Sequence, residues 1–125
     1  MRFEDWKFSF DIAWDDAWCR WQSIGTILLT CVGIGVLLKK MISIGLQNNL
    51  LIFHYNLYLG IDEIQHWTMV FVYSGVLLAV VLVNIFWSFF LFRRDRIASR
   101  TLLFTATLFA LLFLLGARAI VAINV

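Results

Sequence analysis

At 125 residues, 62% hydrophobic and 14% charged, the chain carries far more apolar surface than a soluble domain of its size can bury within itself. Ten basic residues nearly balance eight acidic ones, and there is no proline. A bilayer is the natural solvent for such a composition, and a compact water-soluble enzyme domain is excluded by it.

The first 21 residues read as an amphipathic helix. Phe3, Trp6, Phe10, Ala13, Trp14, Ala17, Trp18 and Trp21 recur at spacings of three and four and share one face, with Glu4, Asp5, Asp11, Asp15 and Asp16 opposite. An aromatic stripe of this kind belongs at a membrane interface, where tryptophan prefers to lie. Five acids against Arg2, Lys7 and Arg20 leave the segment net negative, whereas helices that bind anionic lipid are usually basic. The acids are therefore expected either to form a solvated face or to dock on a basic loop or partner. The acidity of the segment, and the lack of a small-residue cleavage site, argue against a secretory signal and for a retained first span.

Three uncharged or nearly uncharged runs have the length needed to span a bilayer, about 20 residues. They cover 22–38, 67–92 and 101–123, and Arg118 is the one charge among them. The fold class expected is an all-α integral membrane protein: three transmembrane helices behind an N-terminal interfacial helix, with an extended outer loop over 41–66 and an inner loop over 93–100. Cys19 and Cys31 are about 18 Å apart along a helix, too far to bridge, and no zinc spacing occurs. Ala106, Ala110 and Ala117 line one face of the third span, and Gly75 with Ala79 and Cys31 with Gly35 are small residues four apart, a spacing that permits close helix contact. Asn84 within the second span reads as a hydrogen-bonding contact between helices.

Orientation follows from Arg93, Arg94, Arg96 and Arg100, which set against Asp95 mark the connection between the second and third spans as cytoplasmic. The N-terminus then lies inside, while the 41–66 loop and the C-terminus lie outside. Lys39 and Lys40 oppose this assignment and must snorkel to the outer headgroups.

Within the loop, Leu51 to Tyr58 alternate: Leu51, Phe53, Tyr55 and Leu57 on one side, Ile52, His54, Asn56 and Tyr58 on the other. This predicts an extended segment with one wetter face. Gly60 permits the turn that follows. DEIQ from Asp62 to Gln65 has the form of a capping box, so Asp62 is expected to start the next helix. Arg118, near the outer end of the third span, is at the depth of Asp62 and Glu63, and an ion pair there would clamp the loop to the helix.

His54, Tyr55, Asn56, Tyr58, Gly60, Ile61 and Asp62 carry a family resemblance. FHYNLYLGID resembles the signature loop of a family of small bacterial membrane proteins, many from reduced-genome candidate phyla. It is more distantly similar to the loop of the SdpI-type immunity and signalling membrane domain. The prolines usual before the histidine are replaced here by LQNNLLIFHYN. The resemblance implies a bacterial inner-membrane protein with a polar outer loop between its first two spans, and brings no chemistry with it.

No nucleophile with a base, carboxylate pair within a span or phosphate-cradling glycine loop is present, so no enzyme activity is expected. No metal, haem or other cofactor is expected either, since His54, His66, Asp62 and Glu63 have no ligand spacing. The expected role is an accessory or scaffolding subunit of a larger membrane assembly. The alternative is an SdpI-like immunity or sensing protein, with His54, Tyr55, Asn56, Tyr58, Gly60, Asp62 and Arg118 binding a peptide or small ligand outside. On the inner side the docking residues expected are Trp6, Trp14, Trp18, Asp15, Asp16, Arg93, Arg94 and Arg96. Membrane lipid, other membrane subunits or copies of the chain itself are the partners expected, and no nucleic acid.

Overall fold

The computed structural model describes residues 3–125, with the side chains of Tyr55, Asn56 and Asp62 outside the description. In chain order the elements are α1 (Phe3–Asp15), α2 (Ala17–Asn48), β1 (Leu50–Asn56), β2 (Gly60–His66), α3 (Met69–Leu91) and α4 (Arg96–Asn124). Helices α2, α3 and α4 are each long and apolar enough to cross a membrane. The chain is thus built as a three-span bundle, with α4 packed against both other spans.

Why α1 stops at Asp15 is legible in the next residue. Asp16 adopts an extended conformation (φ −71°, ψ 113°), and its carboxylate accepts from Cys19 N at 2.9 Å. Aspartate caps a new helix better than it continues an old one, so the helix expected over 1–21 is two. Trp18 and Trp21 consequently belong to α2.

The 32 residues of α2 extend about 48 Å, well past the roughly 30 Å hydrocarbon layer. Residues 41–48, expected in the outer loop, continue the helix, with one line of it, Met41 and Gly45, packed against the rest of the fold. Met41 is fully buried, and at Gly45 a Cβ would come within 2.6 Å of Trp67 Cγ. The helix ends on Asn49 in the left-handed conformation (φ 58°), whose N–H reaches Gly45 O at 2.9 Å. Lys39 and Lys40 therefore sit exposed within the helix rather than at its end.

The rest of the expected outer loop is an antiparallel hairpin, β1 against β2, pairing Leu50 with His66 through to Asn56 with Gly60. Leu51 and Phe53 are buried and His54 is exposed, but the alternation expected through Tyr58 stops with the strand: Leu57 and Tyr58 lie in the turn and are exposed. Gly60 takes φ +80°, the left-handed turn conformation that other residues resist. The capping reading of Asp62 does not hold: 62–65 is strand, and α3 starts only at Met69, after Thr68. Ladder bonds to β1 satisfy the backbone that a helix start would otherwise have used.

The arginine connection is shorter than expected. Asp95 accepts from Ile97 N at 2.9 Å and Ala98 N at 3.0 Å, so α4 begins at Arg96, and Arg96 and Arg100 lie in its first turns.

The bundle is held by small and hydroxyl residues. Ala106, Ala110 and Ala117 are buried, and Gly33, also buried, lies against Phe113 and Leu114. Thr26 and Thr107 hydroxyls meet at 2.6 Å, Gln22 Nε2 donates to Thr107 Oγ1 at 2.7 Å, and Ser88 meets Ser99 at 2.9 Å. Such bonds suit a lipid setting because each hydroxyl otherwise falls back on its own helix. Asn84 does so: its amide donates to Val80 O in α3 at 2.8 Å, and among the described residues it forms no bond to another helix.

Candidate functional site

Two ends of the bundle gather the polar chemistry. At one, α1 folds back over the close of α3. Ser9 and Ala13, both small, are its buried line, and Ser9 Oγ donates to Phe89 O at 2.8 Å and Phe90 O at 3.2 Å, carbonyls left over at the α3 C-terminus. Because the buried line is Ser9–Ala13, the predicted aromatic face is only partly covered. Trp6 packs on Phe86 (5.9 Å between rings) and Phe10 on Phe89 (5.0 Å), while Phe3 and Trp14 remain exposed.

The acids of this end meet its arginines within the chain. Asp5 lies 3.9 Å from Arg93, which also covers the Phe8 ring, and Asp16 lies 3.7 Å from Arg100, which covers Trp18. The Cys19 N–H, followed by Arg100 and Arg96, holds the Asp16 carboxyl below its ordinary value, against the opposing effect of its partial burial. Arg96 stacks on Phe92 at 5.4 Å, and Asp15 and Arg94 are exposed. Of the residues expected to dock a partner here, Asp16 and Arg93 are engaged inside the chain by ion pairs, and Trp6, Trp14, Trp18 and Arg96 by ring contacts.

At the other end the hairpin closes over the bundle and roofs a cavity of about 260 Å³. Phe53 and His54 of β1, Glu63 of β2, Tyr73 of α3 and Phe113 of α4 line it, above a floor that includes Gly116 and Ala117. The Phe53 and Tyr73 rings are 5.2 Å apart. Glu63 Oε1 accepts from Gln65 Nε2, and Tyr73 Oη lies 3.5 Å from the same oxygen.

Of the outer binding residues expected from the sequence, His54 lines this cavity. Tyr58 stands at the hairpin tip, 96% exposed, and Gly60 forms the turn. The side chains of Tyr55, Asn56 and Asp62 lie outside the described residues. Arg118 is exposed and pairs with no carboxylate among the described residues. Among the described residues the hairpin is fastened to α4 by Asn124, whose Oδ1 accepts from Ile52 N at 2.9 Å and whose Nδ2 donates to Ile52 O at 2.6 Å.

Glu63 is singled out in the sequence only as a partner for Arg118 or a weak ligand candidate, and Tyr73, Phe113 and Asn124 have no signal beyond being polar or aromatic near the end of a span. Only the hairpin brings them together. The fold defines the class, a bundle of three helices each long and apolar enough to cross a membrane, with a two-stranded hairpin between the first and second of them. No protein-family model, no characterised protein and no solved structure matches the chain.

Proposed function

We propose that this chain is a non-catalytic integral membrane protein that works by contact, as an accessory or scaffolding subunit of a larger membrane assembly. One observation carries the reading. Cys31 with Gly35 on α2, and Gly75 with Ala79 on α3, point outward, and a Cβ added at Gly35 or Gly75 meets nothing within 4 Å. The contacts inside the chain use other small residues, Gly33, Ala106 and Ala110. Small residues gain nothing against lipid tails but let a second helix approach closely. Two such faces are therefore free for neighbouring spans.

The arginine connection orients the assembly, with α1 at the cytoplasmic interface and the hairpin outside. The loop's likeness to bacterial families makes the bacterial inner membrane the setting. Native mass spectrometry after gentle detergent extraction tests the reading. A fixed-ratio complex with larger subunits, lost on Gly35→Leu and Gly75→Leu while the monomer stays folded, is the expected result. A lone monomer from the source membrane overturns it.

A further inference from the structure

The hairpin cavity has a chemical character of its own. Three aromatic rings, Phe53, Tyr73 and Phe113, share its wall with one carboxylate, Glu63. Aromatic faces carry negative quadrupole charge and attract ammonium groups, most of all where water is excluded. Both donors to Glu63 meet Oε1, and among the described residues Oε2 has no hydrogen-bond donor. His54 lines the same cavity, and the floor of Gly116 and Ala117 is apolar.

Tyr73 and Phe113 also border an apolar groove of about 570 Å³ that runs between α3 and α4 past Val76, Val80, Phe109 and Leu112. An aromatic and acidic head pocket thus lies beside an uncharged groove, the two sharing Tyr73 and Phe113. This is the complement of a molecule with a cationic head and an alkyl tail.

We infer that the hairpin cavity and the adjoining groove bind a single-chain amphiphile with an ammonium head, the head held by Glu63 and the three rings and the tail laid along α3 and α4. Charge complementarity selects the head: an anionic head would face Glu63, and an uncharged one would lack the charge attraction to both the carboxylate and the ring faces. The site is independent of the subunit reading, because it is built entirely within one chain, at the hairpin end.

The test uses the purified full chain in non-ionic maltoside micelles, titrated with dodecyltrimethylammonium and followed by nuclear magnetic resonance. The expected result is saturable contact between the N-methyl protons and the ring protons of Phe53, Tyr73 and Phe113. Glu63→Gln should raise the half-saturation concentration about tenfold. Gly116→Leu should abolish the contact by filling the floor, and a Cβ at Gly116 meets nothing within 4 Å, so the helix backbone need not shift to admit it. Dodecylphosphocholine, which brings a phosphate beside Glu63, should bind at least about tenfold more weakly. Absence of ring contacts, or equal half-saturation in the parent chain and Gly116→Leu, overturns the inference. Loss of partner subunits in the extraction experiment would leave these signals unchanged, so the two readings fail separately.

Discussion

Asn124 shows how one side chain substitutes for a missing strand. Its amide pairs with both backbone groups of Ile52 and also donates to Ile120 O at 2.9 Å, so the free edge of β1 is fastened to the last turn of α4. Asn124→Ala leaves two part-buried backbone groups without partners, at about 1–3 kcal/mol. Hydrogen exchange at Ile52 N–H should accelerate about ten- to a hundredfold, while amides in the middle of α4 stay protected. Gly45 acts by absence: with Trp67 Cγ 2.6 Å from any added Cβ, Gly45→Ala forces the hairpin base away from α2. A loss of about 1–3 kcal/mol in detergent unfolding is expected, and no loss for Gly25→Ala, where the space is open.

At the scale of elements, the break between α1 and α2 depends on Asp16, which combines a cap with an ion pair. Asp16→Ala should cost about 1 kcal/mol, the ordinary worth of an N-cap. The sign of the pH effect follows from the lowered carboxyl pKa. Asp16's contribution is complete above its ordinary value of 3.8 and is lost as pH falls through the lower folded value. Acidification from pH 6 to 3 should therefore loosen the start of α2, seen as faster exchange at Cys19 N–H. Asp16→Asn, still able to cap, should show less of that acid response. The hairpin gives the opposite lesson about elements: DEIQ has the local chemistry of a helix start, yet it pairs as a strand because β1 offers its backbone partners across a three-residue turn.

For the whole molecule, the spacing of small residues decides which faces meet. Ala106, Ala110 and Ala117 were legible as a contact stripe, and all three are buried. Gly75, Ala79, Cys31 and Gly35 share the same spacing but face outward, so the pattern alone did not separate inner from outer contacts. Ala110→Leu should overpack the centre of the bundle, at about 1–3 kcal/mol. The measurement is steric-trap or detergent unfolding, with Gly75→Leu as the outward-facing control expected to change stability little.

Three spans, the alternation of β1 and the turn at Gly60 were determined by the sequence itself, because each rests on a local property: run length of apolar residues, a period of two, the φ of glycine. The extension of α2 through Asn48, the pairing of β2, the Asn124 clamp and the gathering of Phe53, Glu63, Tyr73 and Phe113 around one cavity were decided only by the tertiary structure. These join residues as far apart as Ile52 and Asn124, and a contact at that separation has no periodic trace along the chain. It exists because the bundle supplies the burial, and the hydrogen-bond partner, that neither segment contains.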